Sequence, residues 1–337
     1  MINEWFHPAG RLARDGFDSV VDADIDGWAH TGFRSVTLGD VSALAIPSAP
    51  RADLAASPNE QNPTSIDLPA VAVERVLVPL AGESFTVEYT LSDGSAGSQS
   101  LTGRASVFHG PADCLYLPTG ARATLSSTAG RIAIAEAPTT ETRPVQLLPA
   151  AEVPVELRGS GISSRQVHNF ATPAGLDCVK IIACEVITPG GNWSSYPPHK
   201  HDEAIPGSES RLEEIYYFET AVSRGSKAPA EADPFSLFST YSSGAGEITT
   251  SATVRTGDIA LVPYGYHGPL AAAPGYDNYY LNVMAGPDEE RVWLISDDPA
   301  HGWVREEWEA LEFDSRLPYT SDSTGSAADD SETSKEK

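Results

Sequence analysis

The chain has 337 residues, 41% of them hydrophobic, with a formal net charge of −25 and a pI near 4.5. That is enough apolar material for a large core, in two domains or one large β domain. The acidity argues against nucleic acid and anionic membrane surfaces as partners, because Lys and Arg must neutralise their phosphates.

The N-terminus, MINEWFHPAGRLARDG, lacks the apolar centre of a signal peptide, and no run reaches the length of a membrane span. The expected compartment is the cytoplasm. Short runs rich in β-branched and aromatic residues follow: SVTL, AVERVLVPL, SFTVEYTL, RIAIAEA, VKIIACEVI, EEIYYF, FSLFSTY, DIALVPYG and NYYLNVMAG. Frequent Gly and Pro separate them. This pattern predicts an all-β sandwich or barrel. Cys114, Cys178 and Cys184 sit in such runs and read as buried free thiols.

The sequence also repeats. ADCLYLPTGAR (112–122) and GDIALVPYGYH (257–267) share Asp, an apolar run, Pro-x-Gly-x and a final polar residue, at an offset of 145 residues. This predicts two copies of one β module, residues 1–145 and 146–317, joined near the proline-rich segment 136–160. DPAHGWVREEWEALEF (298–313) has roughly helical apolar spacing and predicts a helix. Residues 318–337 are polar, acidic and low in complexity, so a disordered tail is expected.

Three groups in the second half could bind a metal. His199 and His201 lie one residue apart in PPHKHD, so in an extended strand both point to one face, with Lys200 on the other. Glu213 and Glu214 precede the strand-like IYYF; Glu214 is favoured as a ligand because it directly precedes that strand. His267 closes the second copy of the repeat, where the first copy has Arg122. Three imidazoles and a carboxylate converging on one point would hold a divalent ion and leave room for substrate. Only the second module carries this set.

The order of these groups resembles the two signature motifs of the cupin superfamily. Gly190 and Gly191 stand before His199 and His201, then Glu214; Gly257, Pro263 and Gly265 lead to His267. Cupins usually leave three or four residues between the second histidine and the glutamate, whereas here DEAIPGSESRLE intervenes, taken as a loop at the barrel mouth. The resemblance implies a bicupin: two jelly-roll β-barrels from an internal duplication, the first without metal ligands.

A narrower resemblance covers about residues 5–312. PPHKHD, LEEIYYF, DIALVPYGYHG, SRQVHNF and GRASVFHGPADCLYLPTG resemble the 5-deoxy-glucuronate isomerases of myo-inositol catabolism. The 5-keto-4-deoxyuronate isomerases are a sister family. The resemblance implies an aldose–ketose isomerisation of 5-deoxy-glucuronate to 5-dehydro-2-deoxy-gluconate, with one divalent metal ion per chain. Zinc is the first expectation; manganese, iron and nickel accept the same ligands. The implied partner is a small-molecule uronate, and a homo-oligomer through sheet edges fits the plan. Alternation places Tyr216 on the face of Glu214, and Tyr280 with Asn282 on one face of their strand. Tyr280, Tyr216 and Glu213 are the candidate proton-transfer residues. Arg165, Lys200 and Arg211 are candidate partners of the substrate carboxylate, and Asn282 a further substrate contact. The 5-keto-4-deoxyuronate isomerase, a metal-dependent dioxygenase and a non-catalytic sugar-binding cupin are the alternatives.

Overall fold

The structure is a computed structural model that describes residues 5–23, 27–42, 44 and 62–320. The first half holds β1 (Phe6–His7), β2 (Ser19–Val21), β3 (Gly32–Gly39), β4 (Ser65–Leu68), β5 (Val73–Thr90), β6 (Ala96–Arg104), β7 (Cys114–Leu117), β8 (Arg122–Ser126), β9 (Ala129–Pro138) and β10 (Gln146–Leu148). The second holds β11 (Val155–Arg158), β12 (Arg165–Ala171), β13 (Ile182–Thr188), β14 (Trp193–Ser194), β15 (His199–Lys200) and β16 (Glu213–Val222). It continues with β17 (Ser236–Tyr241), β18 (Thr249–Val254), β19 (Ile259–Val262), β20 (Tyr266–Ala272), β21 (Tyr276–Ala285) and β22 (Ser296–Asp297).

The duplication is visible in strand order. One sheet runs β10-β7-β5-β9-β3-β2; another runs β1-β19-β16-β21-β13-β12-β11. The repeated segments, β7 and β19, occupy the same slot in each. The edge slots are filled crosswise in the chain: the N-terminal β1 joins the second sheet, and β10 closes the first. The 18-residue β5 joins AVERVLVPL and SFTVEYTL into one strand, whose far end pairs with β6 and β8 to form the opposite layer of the first barrel. In the second half that layer is a separate sheet, β18-β17-β20-β15-β22.

The two large sheets pack face to face, and this explains their unbroken apolar runs. Along β16, Ile215 and Tyr217 join a cluster with Val76, Phe33 and Ala133 of the first half. Tyr216 and Phe218 point the other way, into the second barrel. A strand buried on both faces loses the hydrophobic-polar alternation of a half-exposed one.

Several polar groups inside this junction are paired. Arg104 forks onto Glu185 at 2.7 and 2.6 Å, and Glu185 also meets His168 Nδ1 at 2.6 Å and the Tyr279 hydroxyl at 2.8 Å. Arg131 reaches Glu219 at 2.7 Å and the Tyr217 hydroxyl at 2.6 Å.

The expected C-terminal helix shrinks to one turn, α1 (Val304–Glu307), followed by a 3-10 turn over Trp308–Ala310. The preceding residues close turns on Asp298, including His301 N–H and Gly302 N–H onto its carbonyl. The segment is a strap across the second barrel. Tyr319, within the stretch expected to be a tail, is buried and donates to Asp277 at 2.8 Å. The rest of that stretch, 321–337, lies outside the described residues. All three cysteines are buried and free. Among the described residues no helix is long and apolar enough to cross a membrane.

Candidate metal centre and cavity

The second barrel brings four buried side chains together. His199 on β15 lies directly across the ladder from His267 on β20, His201 follows β15, and Glu214 comes from β16 in the facing sheet. One nitrogen from each imidazole lies within 4.8 Å of the other two. Glu214 Oε2 is 3.0 Å from His201 Nε2 and 2.9 Å from His267 Nε2.

The twelve residues between His201 and Glu214 do not separate them, because the loop closes on itself. The Leu212 N–H donates to the His201 carbonyl at 2.8 Å, and His201 Nδ1 meets the Leu212 carbonyl at 3.0 Å. Lys200 holds the loop from within. Its ammonium lies 2.7 Å from Asp202, 2.7 Å from Glu203 and 2.8 Å from Glu209. Asp202 in turn accepts the Gly265 N–H at 2.8 Å, tying this loop to the turn before His267. Gly265 adopts φ +94, and a Cβ there would lie 2.5 Å from Ile248, so that turn requires glycine.

The donor set fits a cation. Nδ1 of His199, His201 and His267 faces the carbonyls of Pro197, Leu212 and Gly265. A carbonyl only accepts, so each Nδ1 carries the proton and, in the neutral ring, each Nε2 presents a lone pair. His267 Nε2 is buried and has no hydrogen-bond partner among the described residues, although it lies beside Glu214. Lone pairs facing a carboxylate are mutually repulsive unless a positive charge sits among them. Without an ion, a proton has to take that place, and the titration of the cluster reflects it. Burial would raise the Glu214 carboxyl, but His267 and His201 outweigh it and hold it well below the usual range. Burial, then His267 and His201, drives His199 well below its ordinary value. Burial would lower His201 too, but its bond to Glu214 wins and raises it.

Beside this cluster lies a cavity of about 500 Å³. His199 and Glu214 reach it, as do four residues expected from sequence: Arg165, Tyr216, Tyr280 and Asn282. Asn282 Nδ2 is buried with no partner among the described residues. The Tyr216 hydroxyl is 2.9 Å from Ser195 Oγ, a residue at φ +47, unusual without glycine. Burial, opposed by Arg165, pushes Tyr280 up to about 12. Burial, with Arg158 and Arg305 nearby, brings Arg165 down to about 10, so it remains charged at neutral pH.

Three expected residues lie elsewhere. Lys200 is committed to the loop carboxylates. Arg211 is 53% exposed, with Asp288 3.5 Å away. Glu213 points out of the barrel, as alternation requires when Glu214 points in. It accepts the N–H groups of Ala29 and His30, both at 2.8 Å, and of Thr31 at 3.2 Å. Glu213 thus anchors the N-terminal segment and faces away from the three histidines. Glu213→Gln is expected to leave bound metal unchanged and to cost about 1–2 kcal/mol of stability, read by urea unfolding with metal analysis. Loss of metal from this variant would contradict its placement.

Sequence reasoning missed Arg158, Arg305, Trp293 and Trp308, which also line the cavity. The three-residue spacing of Arg305 and Trp308 in the helix-like stretch put them on one face and was the available signal.

The KduI/IolB family pattern matches residues 11–304. The chain belongs to the KduI/IolB family. A family protein named 5-deoxy-glucuronate isomerase, from Geobacillus kaustophilus (strain HTA426), is 44% identical over 175 residues, 52% of this chain and 58% of that protein. The alignment thus spans little more than half the length of that relative. Another of the same name, from Shouchella clausii (strain KSM-K16), is 37% identical over 217 residues, 64% of this chain and 75% of the relative. The crystal structure of an IolB-like protein from Salmonella typhimurium LT2 superposes with a TM-score of 0.70 at 30% identity, covering 89% of this chain and 99% of that one. Oxalate decarboxylase from Lactobacillus farciminis aligns with a TM-score of 0.56 at 8% identity over 88% of this chain, a likeness of fold alone. The shared architecture is the bicupin.

Proposed function

We propose that this KduI/IolB protein is a metal-dependent aldose–ketose isomerase converting 5-deoxy-glucuronate to 5-dehydro-2-deoxy-gluconate. The observation that carries the reading is the three-histidine, one-glutamate cluster bordering a cavity that also holds a buried arginine. The names of the relatives point to the same substrate. His199, His201, Glu214 and His267 would hold the ion; zinc suits the set, as do manganese, iron and nickel. A divalent ion there supplies Lewis-acid polarisation of a carbonyl and its neighbouring hydroxyl.

The chain's own residues supply proton donors and a cation for the substrate carboxylate. The reaction removes a proton from the carbon next to the aldehyde and returns one to the aldehyde carbon, with no net oxidation. Tyr280 and Tyr216 are phenols whose burial keeps them protonated at neutral pH, so they serve as hydrogen-bond or proton donors to developing oxyanions. The unpartnered Asn282 Nδ2 is a further donor for a sugar hydroxyl. Arg165 is the cation for the carboxylate, whose planar shape its fork matches.

Proton NMR of the metal-loaded protein with 5-deoxy-glucuronate in heavy water tests the reading. The aldehyde-derived signals should fall, the ketone product should grow, and deuterium should enter beside the new carbonyl. An unchanged spectrum with metal bound would sink the substrate assignment. A 5-keto-4-deoxyuronate assay and oxygen uptake would then separate the sister isomerase from a dioxygenase.

A further inference from the structure

The C-terminal strap forms one wall of the cavity and reaches it from the metal cluster. β22 pairs with β15, which sets Asp297 opposite His199. Arg305 on α1 returns to Asp297, its Nη2 2.7 Å from Oδ1. Three residues later the half-buried Trp308 lies beneath two guanidiniums, Arg305 at 5.3 Å and Arg165 at 5.4 Å from its ring centroid.

The arginines of this wall differ in their commitments. Arg305 is paired with Asp297, and Arg158 with Glu156 at 3.0 Å. Arg165 is buried, and its side-chain hydrogen bond among the described residues goes to the Ser163 carbonyl at 3.1 Å. It has no carboxylate at ion-pair distance among those residues. A buried guanidinium with no carboxylate in contact is costly, and an anion entering the cavity would relieve that cost. A guanidinium recognises a carboxylate through the plane of its fork, so its orientation matters as much as its charge. The Trp308 face lies 5.4 Å from the guanidinium and, with the Ser163 carbonyl, borders this plane.

We propose that Trp308 is a positioning residue: it holds the Arg165 fork toward the cavity and makes the site select a sugar bearing a carboxylate over a neutral sugar of the same shape. The choice of sugar rests on the isomerase reading above; the positioning itself rests on the strap.

The test compares kcat/KM for 5-deoxy-glucuronate with that for the sugar whose carboxylate is replaced by hydroxymethyl. It uses the metal-loaded full chain, its Trp308→Ala and Trp308→Phe variants, and equal metal content in all three. The preference for the uronate should fall about tenfold in Trp308→Ala, through KM, and return to within about threefold in Trp308→Phe, since a phenyl face still carries a cation. Arg165→Gln should lower the preference by about a hundredfold or more. Proportional losses on both sugars would show a merely structural role and overturn the proposal. If the wild-type protein turns over neither sugar, the isomerase reading fails, and calorimetry with glucuronate and glucose then decides the inference. A wild-type preference for glucuronate that Trp308→Ala loses supports it; no preference, or one the variant keeps, overturns it.

Discussion

Replacing His267 by alanine is expected to lower metal retention on the order of a hundredfold and turnover by about a thousandfold. The ring is fully buried, its Nδ1 faces the Gly265 carbonyl, and its Nε2, 2.9 Å from Glu214 Oε2, has no hydrogen-bond partner among the described residues. Alanine removes one of three converging lone pairs without touching the Glu214 carboxylate. Elemental analysis after dialysis and the NMR assay read the two effects separately. Thermal unfolding of the metal-free forms provides the control: truncating a fully buried ring beside Glu214 leaves a cavity and should cost about 2–4 kcal/mol, so the two effects are read at a temperature where both forms are folded. A variant that kept its metal and its turnover would remove His267 from the site.

The second large effect belongs to the junction between the halves. Glu185→Gln is expected to destabilise the protein by about 3–5 kcal/mol, because it strands the buried Arg104 guanidinium. The pH dependence has a definite sign. Burial would raise the Glu185 carboxyl, but Arg104 and His168 outweigh it and lower it to about 2 from an ordinary 4.5. A depressed folded value means the contribution is complete above about pH 4.5 and is lost as pH falls toward 2. The stability difference between wild type and Glu185→Gln should therefore shrink across that window. Urea midpoints at pH 7, 5 and 3 measure it, and a difference independent of pH would mean that the Glu185 charge is not what holds the junction.

The histidines and the glutamate of the candidate metal site were legible because short-range chemistry positions them. His-x-His in a strand, a glutamate opening a strand and Pro-x-Gly-x-His each fix a side chain through local backbone geometry. The strand runs were legible for the same reason, and so was the duplication, whose repeated segments fill matching slots. The helix over 298–313 was not foreseen as a strap, since its spacing fits a helix and only the pairing of β22 with β15 and the Arg305–Asp297 fork hold it open.

Glu213 and Glu214 show where local reasoning ends. Both adjoin a run that is apolar on each face, so the pattern of IYYF cannot say which face is the barrel interior. Only the packing of the first half against Ile215 and Tyr217 decides it. Lys200 and Arg211 read as free cations until the inserted loop supplies Asp202, Glu203 and Glu209 to one and Asp288 lies by the other.

The sequence by itself determined an all-β chain, its duplication and the four side chains of the candidate metal site, because each depends on alternation and turn chemistry over a few residues. The tertiary structure alone decided which charges line the cavity beside the histidines. Arg158 and Arg165 come from neighbouring strands, Arg305 and Trp308 from a strap more than a hundred residues later. Their convergence depends on contacts between distant segments, and no spacing along the chain encodes it.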